Sequence, residues 1–207
     1  VAVVPDATRR LMVVHVDHQL RPESAEDAAY VRSVAERYGL SAIMLTVDVP
    51  ALARAEGRGI EDAARMGRYR AIRDAVSRRA QRPACIATGH TRDDVVETVL
   101  LHLLRGSGRA GLGGIQGSEM LDARALGEAP SEMPRQTLCV VRPLTEVDRA
   151  DTVAYCEARG IRFLTDETNA DPSYLRNRVR SHLLPVLRTY NPAIGKGLSR
   201  LAITMRD

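Results

Sequence analysis

The stretch Thr88–Ile115, TGHTRDDVVETVLLHLLRGSGRAGLGGI, constrains the fold more than any other part of the chain. Ahead of it, Cys85-Ile86-Ala87 is short, apolar and preceded by Pro83, the pattern of a buried strand that ends at Thr88-Gly89. His90 and Thr91 then fall in a loop, and a helix begins near Arg92. Its first turn carries Asp93 and Asp94, where the positive end of the helix dipole stabilises carboxylates. Glu97 follows Asp94 by three residues and shares its face. Val95, Val96, Val99, Leu100, Leu101, Leu103 and Leu104 give the helix a buried side, and Arg105-Gly106-Ser107-Gly108 breaks it. A strand turning directly into a helix puts His90, Asp94 and Glu97 at the strand's carboxyl end, where open α/β sheets bind ligands. Alternatively the acids do no more than satisfy the helix dipole; the residues alone leave both readings open.

The rest of the chain supplies the sheet. Leu11–Val16 predicts a strand whose polar end is Asp17-His18. Ser24 is an N-cap for a helix over Ala25–Tyr38, stopped by Gly39, and Ser41–Val47 is the next strand, ended by Pro50. Strand–helix–strand implies parallel pairing, so the expected fold class is α/β: a Rossmann-like parallel sheet with helices on both faces. His15, Asp17 and His18 again stand at a strand end. No partner cluster follows them, which favours the rim of a ligand pocket over a metal site.

Gly57 and Gly59 precede a helix predicted over Ile60–Arg82. Its buried side is Ala63, Ala64, Ile72, Ala75 and Val76; the other side carries Arg65, Arg68, Arg70, Arg73, Arg78 and Arg79. The plain reading is a solvated cationic face, the specific one a phosphate-binding pair in Arg65 and Arg68. Gln116–Gln136 lacks periodicity and reads as a mobile surface loop. Thr137–Val141 predicts a strand, Glu146–Arg159 a helix, Ile161–Leu164 a short strand, and Leu183–Asp207 helix. Arg176 and Arg180, four apart, share a helix face, with Arg178 on another side.

Length and composition bound the rest. The 207 residues suffice for one domain with a sizeable core. Aromatics at 3%, with no Trp, argue against stacked-aromatic recognition of bases. The net charge of +4 comes almost wholly from arginine, since Lys196 is the only lysine, and arginine suits phosphate clamps. Cys85, Cys139 and Cys156 are odd in number and far apart in sequence, with neither metal spacing nor a disulfide framework. A reduced, cytoplasmic protein is therefore expected. No apolar run approaches the roughly 18 residues of a membrane span, and no signal-type apolar region opens the chain.

Five blocks, in order, carry a family resemblance: HVDHQLRPES (His15–Ser24), ARMGRY (Ala64–Tyr69), GHTRDDVVETVLLHLLRGSGRAGLGGI (Gly89–Ile115), RPLTEVDR (Arg142–Arg149) and DETNADPSYLRNRVRSHLLPVL (Asp166–Leu187). On these the chain resembles the tRNA(Ile)-lysidine synthetases, of the N-type ATP pyrophosphatase or PP-loop superfamily. The resemblance implies an adenine nucleotide alpha hydrolase-like fold. It also implies ATP-dependent ligation of L-lysine to C2 of the wobble cytidine in isoleucine tRNA with a CAU anticodon, using ATP and Mg2+. By motif position Asp94, Glu97, Arg68 and Arg180 match the family's catalytic residues, with Asp94 and Glu97 also on the lysine. His15, Asp17, Arg65, Arg68, Gly89 and His90 match its ATP side, and Arg105 and Arg178 are expected on tRNA; no metal ligand is expected.

A paralogous thiolase of the superfamily would carry paired cysteines, which this sequence lacks. The family's opening SGGxDS phosphate loop has no counterpart after Val1–Val4, and the expectation is that it lies upstream. Gln19 stands where the family usually has glycine. The expected organisation is a catalytic domain over residues 1–187, then the helical start of a linker at 188–207 toward C-terminal tRNA-reading domains. No membrane partner is expected, and a homodimer is left open. Two other readings stay open: a non-catalytic nucleotide- or RNA-binding module of this fold, and a related ATP pyrophosphatase with a different acceptor.

Overall fold

The structure is a computed structural model that describes residues 11–20, 24–78, 85–128, 137–164 and 171–206. The expected strand remnant at Val1–Val4 and most of the DETNADP turn lie outside these residues. The chain forms two compact units, one of Val1–Ala84 with Leu121–Leu138, the other of Cys85–Met120 with Cys139–Asp207.

In the first unit, strand β1 (Met12–Asp17) pairs in parallel with β2 (Ser41–Thr46), with Met12 opposite Ser41 and Asp17 opposite Thr46. Helix α1 (Ser24–Arg37) connects them and packs on both, as a parallel pair requires. Pro50 does more than end a strand. It sits in the first turn of a helix the sequence reading missed, α2 (Val49–Glu56), where its missing N–H costs nothing. The Asp48 side chain caps α2 by accepting from the Ala51 amide at 2.8 Å, and Gly57 ends it with a left-handed φ of 62°.

Helix α3 (Ile60–Ser77) packs on α2 through Val49, Ala53, Ala63 and Ala64. The close approach rests on Gly67: a Cβ there would stand 2.7 Å from Val47 Cγ1 and 2.9 Å from Leu52 Cδ2. The cationic face of α3 is not all solvated. Arg73 is buried and donates to both Glu128 oxygens at 2.7 Å, while Arg70 donates to the Leu126 and Gly127 carbonyls. These arginines fix a segment expected to be a mobile loop, in which Leu126 is fully buried.

In the second unit the strand order is β3 (Cys85–Ala87), β5 (Leu138–Val141), β4 (Ser118–Leu121), with β3 and β5 parallel. Cys85 and Cys139, distant in sequence, are therefore direct neighbours. Helix α4 (Arg92–Leu104) begins just after β3, as expected. A short helix, α5 (Arg109–Leu112), follows the glycine-rich break. Helix α6 (Arg149–Ala158) is shorter than expected because residues 142–148 form turns, and residues 161–164 are irregular instead of a strand.

The C-terminal run is α7 (Leu175–Arg178), a π-helical turn (Val179–Leu183), α8 (Leu184–Tyr190) and α9 (Ile194–Arg206). Val96, Leu100 and Leu101 of α4 pack against Val179 and Leu184, while Val95 and Val99 pack against Ala202 of α9. Among the described residues no helix is long and apolar enough to cross a membrane.

Candidate functional site

The fold of the second unit brings Asp94, Glu97, Arg176 and Arg180 into one network. Asp94 and Glu97 sit three residues apart in the first turns of α4, so both face the same way. Arg176 lies in α7 and Arg180 in the π-helical turn, on a common face of the C-terminal run. Glu97 is 1% exposed. Its Oε1 accepts from Arg180 Nε at 2.6 Å, and its Oε2 accepts from Arg176 Nε at 2.7 Å and from Arg180 Nη2 at 3.0 Å. Asp94 Oδ1 accepts from Arg176 Nη2 at 2.8 Å. Its other oxygen closes the helix start, accepting from the Thr91 amide and the Thr91 hydroxyl at 2.9 Å each.

The electrostatics follow. Burial alone pushes the Asp94 carboxyl up, but the Thr91 amide, Arg176 and the Thr91 hydroxyl more than offset it, so its pKa lies below the usual carboxylate value. Hydrogen bonding to Glu97 raises Arg180 above its ordinary value. Arg176 is the residue the sequence reading passed over. Its signal was present in the four-residue spacing to Arg180; what was missing was the contact across about 80 residues that makes it the bridge between both acids.

Gly89 and His90 lie in the turn beside this network. Gly89 is exposed and a Cβ there would meet nothing within 4 Å. His90 Nδ1 shares a 2.8 Å hydrogen bond with the Thr88 hydroxyl. The RPLTEVDR block has a structural use: Asp93 accepts from the Arg149 amide at 2.8 Å, Arg92 pairs with Asp148 at 2.6 Å, and Arg142 is buried against the Gln116 carbonyl and Glu119. A cavity of about 460 Å3 in this unit is lined by Arg92, Asp93, Asp148, Arg188 and Lys196; Asp94 and Glu97 are not among its walls. Arg105 and Arg178 are both exposed.

The first unit holds the other predicted residues, in two groups. His15 and Asp17 line a cavity of about 460 Å3 against α1, together with Arg32 and Thr46. Arg68 instead meets His18, just past the end of β1, with Nε 3.3 Å and Nη2 3.1 Å from His18 Nε2. Burial first, then Arg68, lowers the His18 pKa to about 4. The ring is therefore neutral near pH 7 and accepts on Nε2, which leaves the proton on Nδ1. That Nδ1 is buried without a hydrogen-bond partner among the described residues.

Arg68 is half-buried and, among the described residues, forms no ion pair with a carboxylate. Burial and the neighbouring Arg65 charge depress its pKa from the ordinary arginine value. Arg65 does not share this contact, since its guanidinium lies 5.0 Å from the centre of the Tyr69 ring. A half-buried guanidinium held by a neutral imidazole keeps its charge for an anion.

The sequence profile described as the PP-loop domain matches residues 3–187. A tRNA(Ile)-lysidine synthase of Thermus thermophilus is 40% identical over 200 residues, covering 97% of this chain and 35% of the relative. That of Dehalococcoides mccartyi is 38% identical, covering 93% and 39%, and that of Salinispora tropica 41%, covering 97% and 55%. The chain thus spans about two-fifths of the length of the first two relatives. The U34-tRNA thiolase NcsA from Methanococcus maripaludis, solved with its [4Fe-4S] cluster, superposes with a TM-score of 0.67 at 12% identity. That match covers 95% of this chain and 62% of the thiolase, and shows the shared α/β fold.

Proposed function

We propose that this chain, which belongs to the PP-loop domain family, carries the catalytic chemistry of lysidine formation on isoleucine tRNA with a CAU anticodon. The observation that carries the proposal is the acid–arginine network: a fully buried glutamate and a partly buried aspartate facing two arginines.

The reaction has two steps. The C2 oxygen of the wobble cytidine attacks the α-phosphorus of ATP, and pyrophosphate leaves. The ε-amine of lysine, having lost a proton, then attacks C2; the C2–oxygen bond breaks and AMP departs with that oxygen. Negative charge grows on phosphate in the first step, and arginines fixed in advance stabilise it. Arg180 suits this role because Glu97 aims it, and Arg68, which pairs with no carboxylate among the described residues, is assigned to it by motif position. An incoming phosphate competes with Glu97 for Arg180. As Arg180 turns to the phosphate, Glu97 keeps Arg176 on Oε2 while Oε1 loses its donor, and the lysine ammonium takes that place. Asp94, held ionised by Thr91 and Arg176, offers Oδ1 as the second ammonium acceptor and takes the proton that lysine gives up.

Mg2+ supplies charge neutralisation at the phosphates. Among the described residues no three His, Cys, Asp or Glu side chains gather as a metal cage. Mg2+ keeps several waters and takes few protein ligands, so it would enter on the nucleotide's phosphates. His15, Asp17, Arg65, Gly89 and His90 are assigned to the ATP side, the exposed Arg105 and Arg178 to the tRNA backbone, and the reaction to the cytoplasm. The test is incubation of the protein with ATP, labelled lysine and the CAU-anticodon tRNA. Label is expected in the tRNA, dependent on ATP. Unlabelled tRNA alongside ATP-dependent pyrophosphate release would point to another acceptor and overturn the lysidine assignment.

A further inference from the structure

Strands β3 and β5 run in parallel with Cys85 directly opposite Cys139. Side chains alternate along a strand, so in-register partners stand on the same face of the sheet. Adjacent strands lie about 4.8 Å apart, within the roughly 4.4–6.8 Å between Cα atoms that a disulfide spans. Both thiols are free. Cys85 is exposed and Cys139 half-buried. Their third companion, Cys156, belongs to α6 and not to the sheet. Spacing along the sequence hid this pair, because the strands that hold it are joined by a long connection.

We propose that Cys85 and Cys139 form a reversible thiol–disulfide pair, oxidised by a low-molecular-weight disulfide such as glutathione disulfide. Cys85, the exposed sulfur, attacks one sulfur of glutathione disulfide and releases one glutathione. Cys139 then gives up its proton and attacks the Cys85 sulfur, releasing the second glutathione. The balance is two protein thiols and one glutathione disulfide giving one protein disulfide and two glutathiones. The order of attack follows from access. It also follows from the proton: the hydrogen bond with Cys85, then burial, holds the Cys139 thiol above its usual range, so Cys139 resolves instead of initiating. An exposed bridge is readily reduced again, which makes the pair a switch instead of a permanent staple. The clamp would sit on the two strands that lead into the Thr88–Thr91 turn and into Arg142.

The test is peptide mapping of the folded chain after treatment with glutathione disulfide and alkylation of the remaining thiols. The expected result is a linked Cys85–Cys139 peptide, a fall in free thiols from three to one with Cys156 still alkylated, and return to three on reduction. Cys156→Ser should bridge as the wild type does, and Cys139→Ser should instead accumulate glutathione on Cys85. Stable separate adducts on Cys85 and Cys139 in the wild-type chain, bridges to Cys156, or a pair that reacts only after unfolding would each overturn the proposal. None of these readouts depends on ligase activity.

Discussion

Glu97 is the residue on which the second unit's network turns. Its carboxylate is buried, and three arginine hydrogen bonds satisfy it. Glu97→Ala removes the buried carboxylate that Arg176 and Arg180 share, and should destabilise the protein by about 3 kcal/mol in urea unfolding. Asp94→Asn is gentler on the fold, because asparagine still offers an oxygen to Thr91; the expected loss is about 1 kcal/mol. Turnover in the lysidine assay should nonetheless vanish, because an amide neither holds an ammonium nor takes its proton. Wild-type rates from that variant would remove Asp94 from the mechanism.

His18 makes a pH prediction. Its pKa falls from 6.5 in the unfolded chain to about 4 in the folded one. Between those values the unfolded chain binds a proton that the folded chain refuses, so stability declines as pH drops from 6.5 toward 4. His18→Gln should flatten that decline in a thermal-melt series. The Asp94 contribution is separable, since it is lost only below the ordinary carboxylate value of 3.8. Gln19 is, among the described residues, the one non-glycine with positive φ, at 51°. Gln19→Gly should therefore raise stability by about 1 kcal/mol, although glycine usually weakens a chain.

At the scale of elements, the packing of α3 on α2 depends on the bare backbone of Gly67. Helix propensity favours alanine over glycine by about 1 kcal/mol. A Cβ there, however, meets Val47, a β-branched side chain with little freedom to turn away, and Leu52. The clash should win: Gly67→Ala is expected to lower the melting temperature, and a rise would show that α3 shifts at no cost.

The sequence exposed these elements where local patterning sets them. The Leu11–Val16 strand, the α4 helix with its acidic start, and the pairing of Arg176 with Arg180 on one face follow from periods of two and of 3.6. It did not expose α2, because Pro50 reads as a stop unless the cap at Asp48 is seen. Nor did it expose the partners of Arg70 and Arg73, since contacts across more than 50 residues leave no local trace. The Cys85–Cys139 pair was hidden for the same reason.

On the scale of the whole molecule, buried charge pairs tie distant segments into each unit. In the first, Arg73 and Glu128 join α3 to the segment after β4. Arg73→Met should cost about 3 kcal/mol because it takes the two-pronged arginine from Glu128, and adding Glu128→Met should restore much of that loss. A double-mutant cycle in urea reads the coupling directly; additive losses would mean that the pair does not hold the segment.

The π-helical turn has one more implication. Leu184 donates its amide to Val179, five residues back, and Pro185 follows, which has no amide to offer Ser181. One extra residue is thus accommodated in the winding at the point where Arg180 emerges. Deleting Ser181 or His182 would restore ordinary winding with the flanking turns still in phase, whereas inserting one more residue would swing everything after it by about 100° around the axis. The insertion would rotate Leu184 and Leu187 off α4, so this stretch can lose one codon but not gain another.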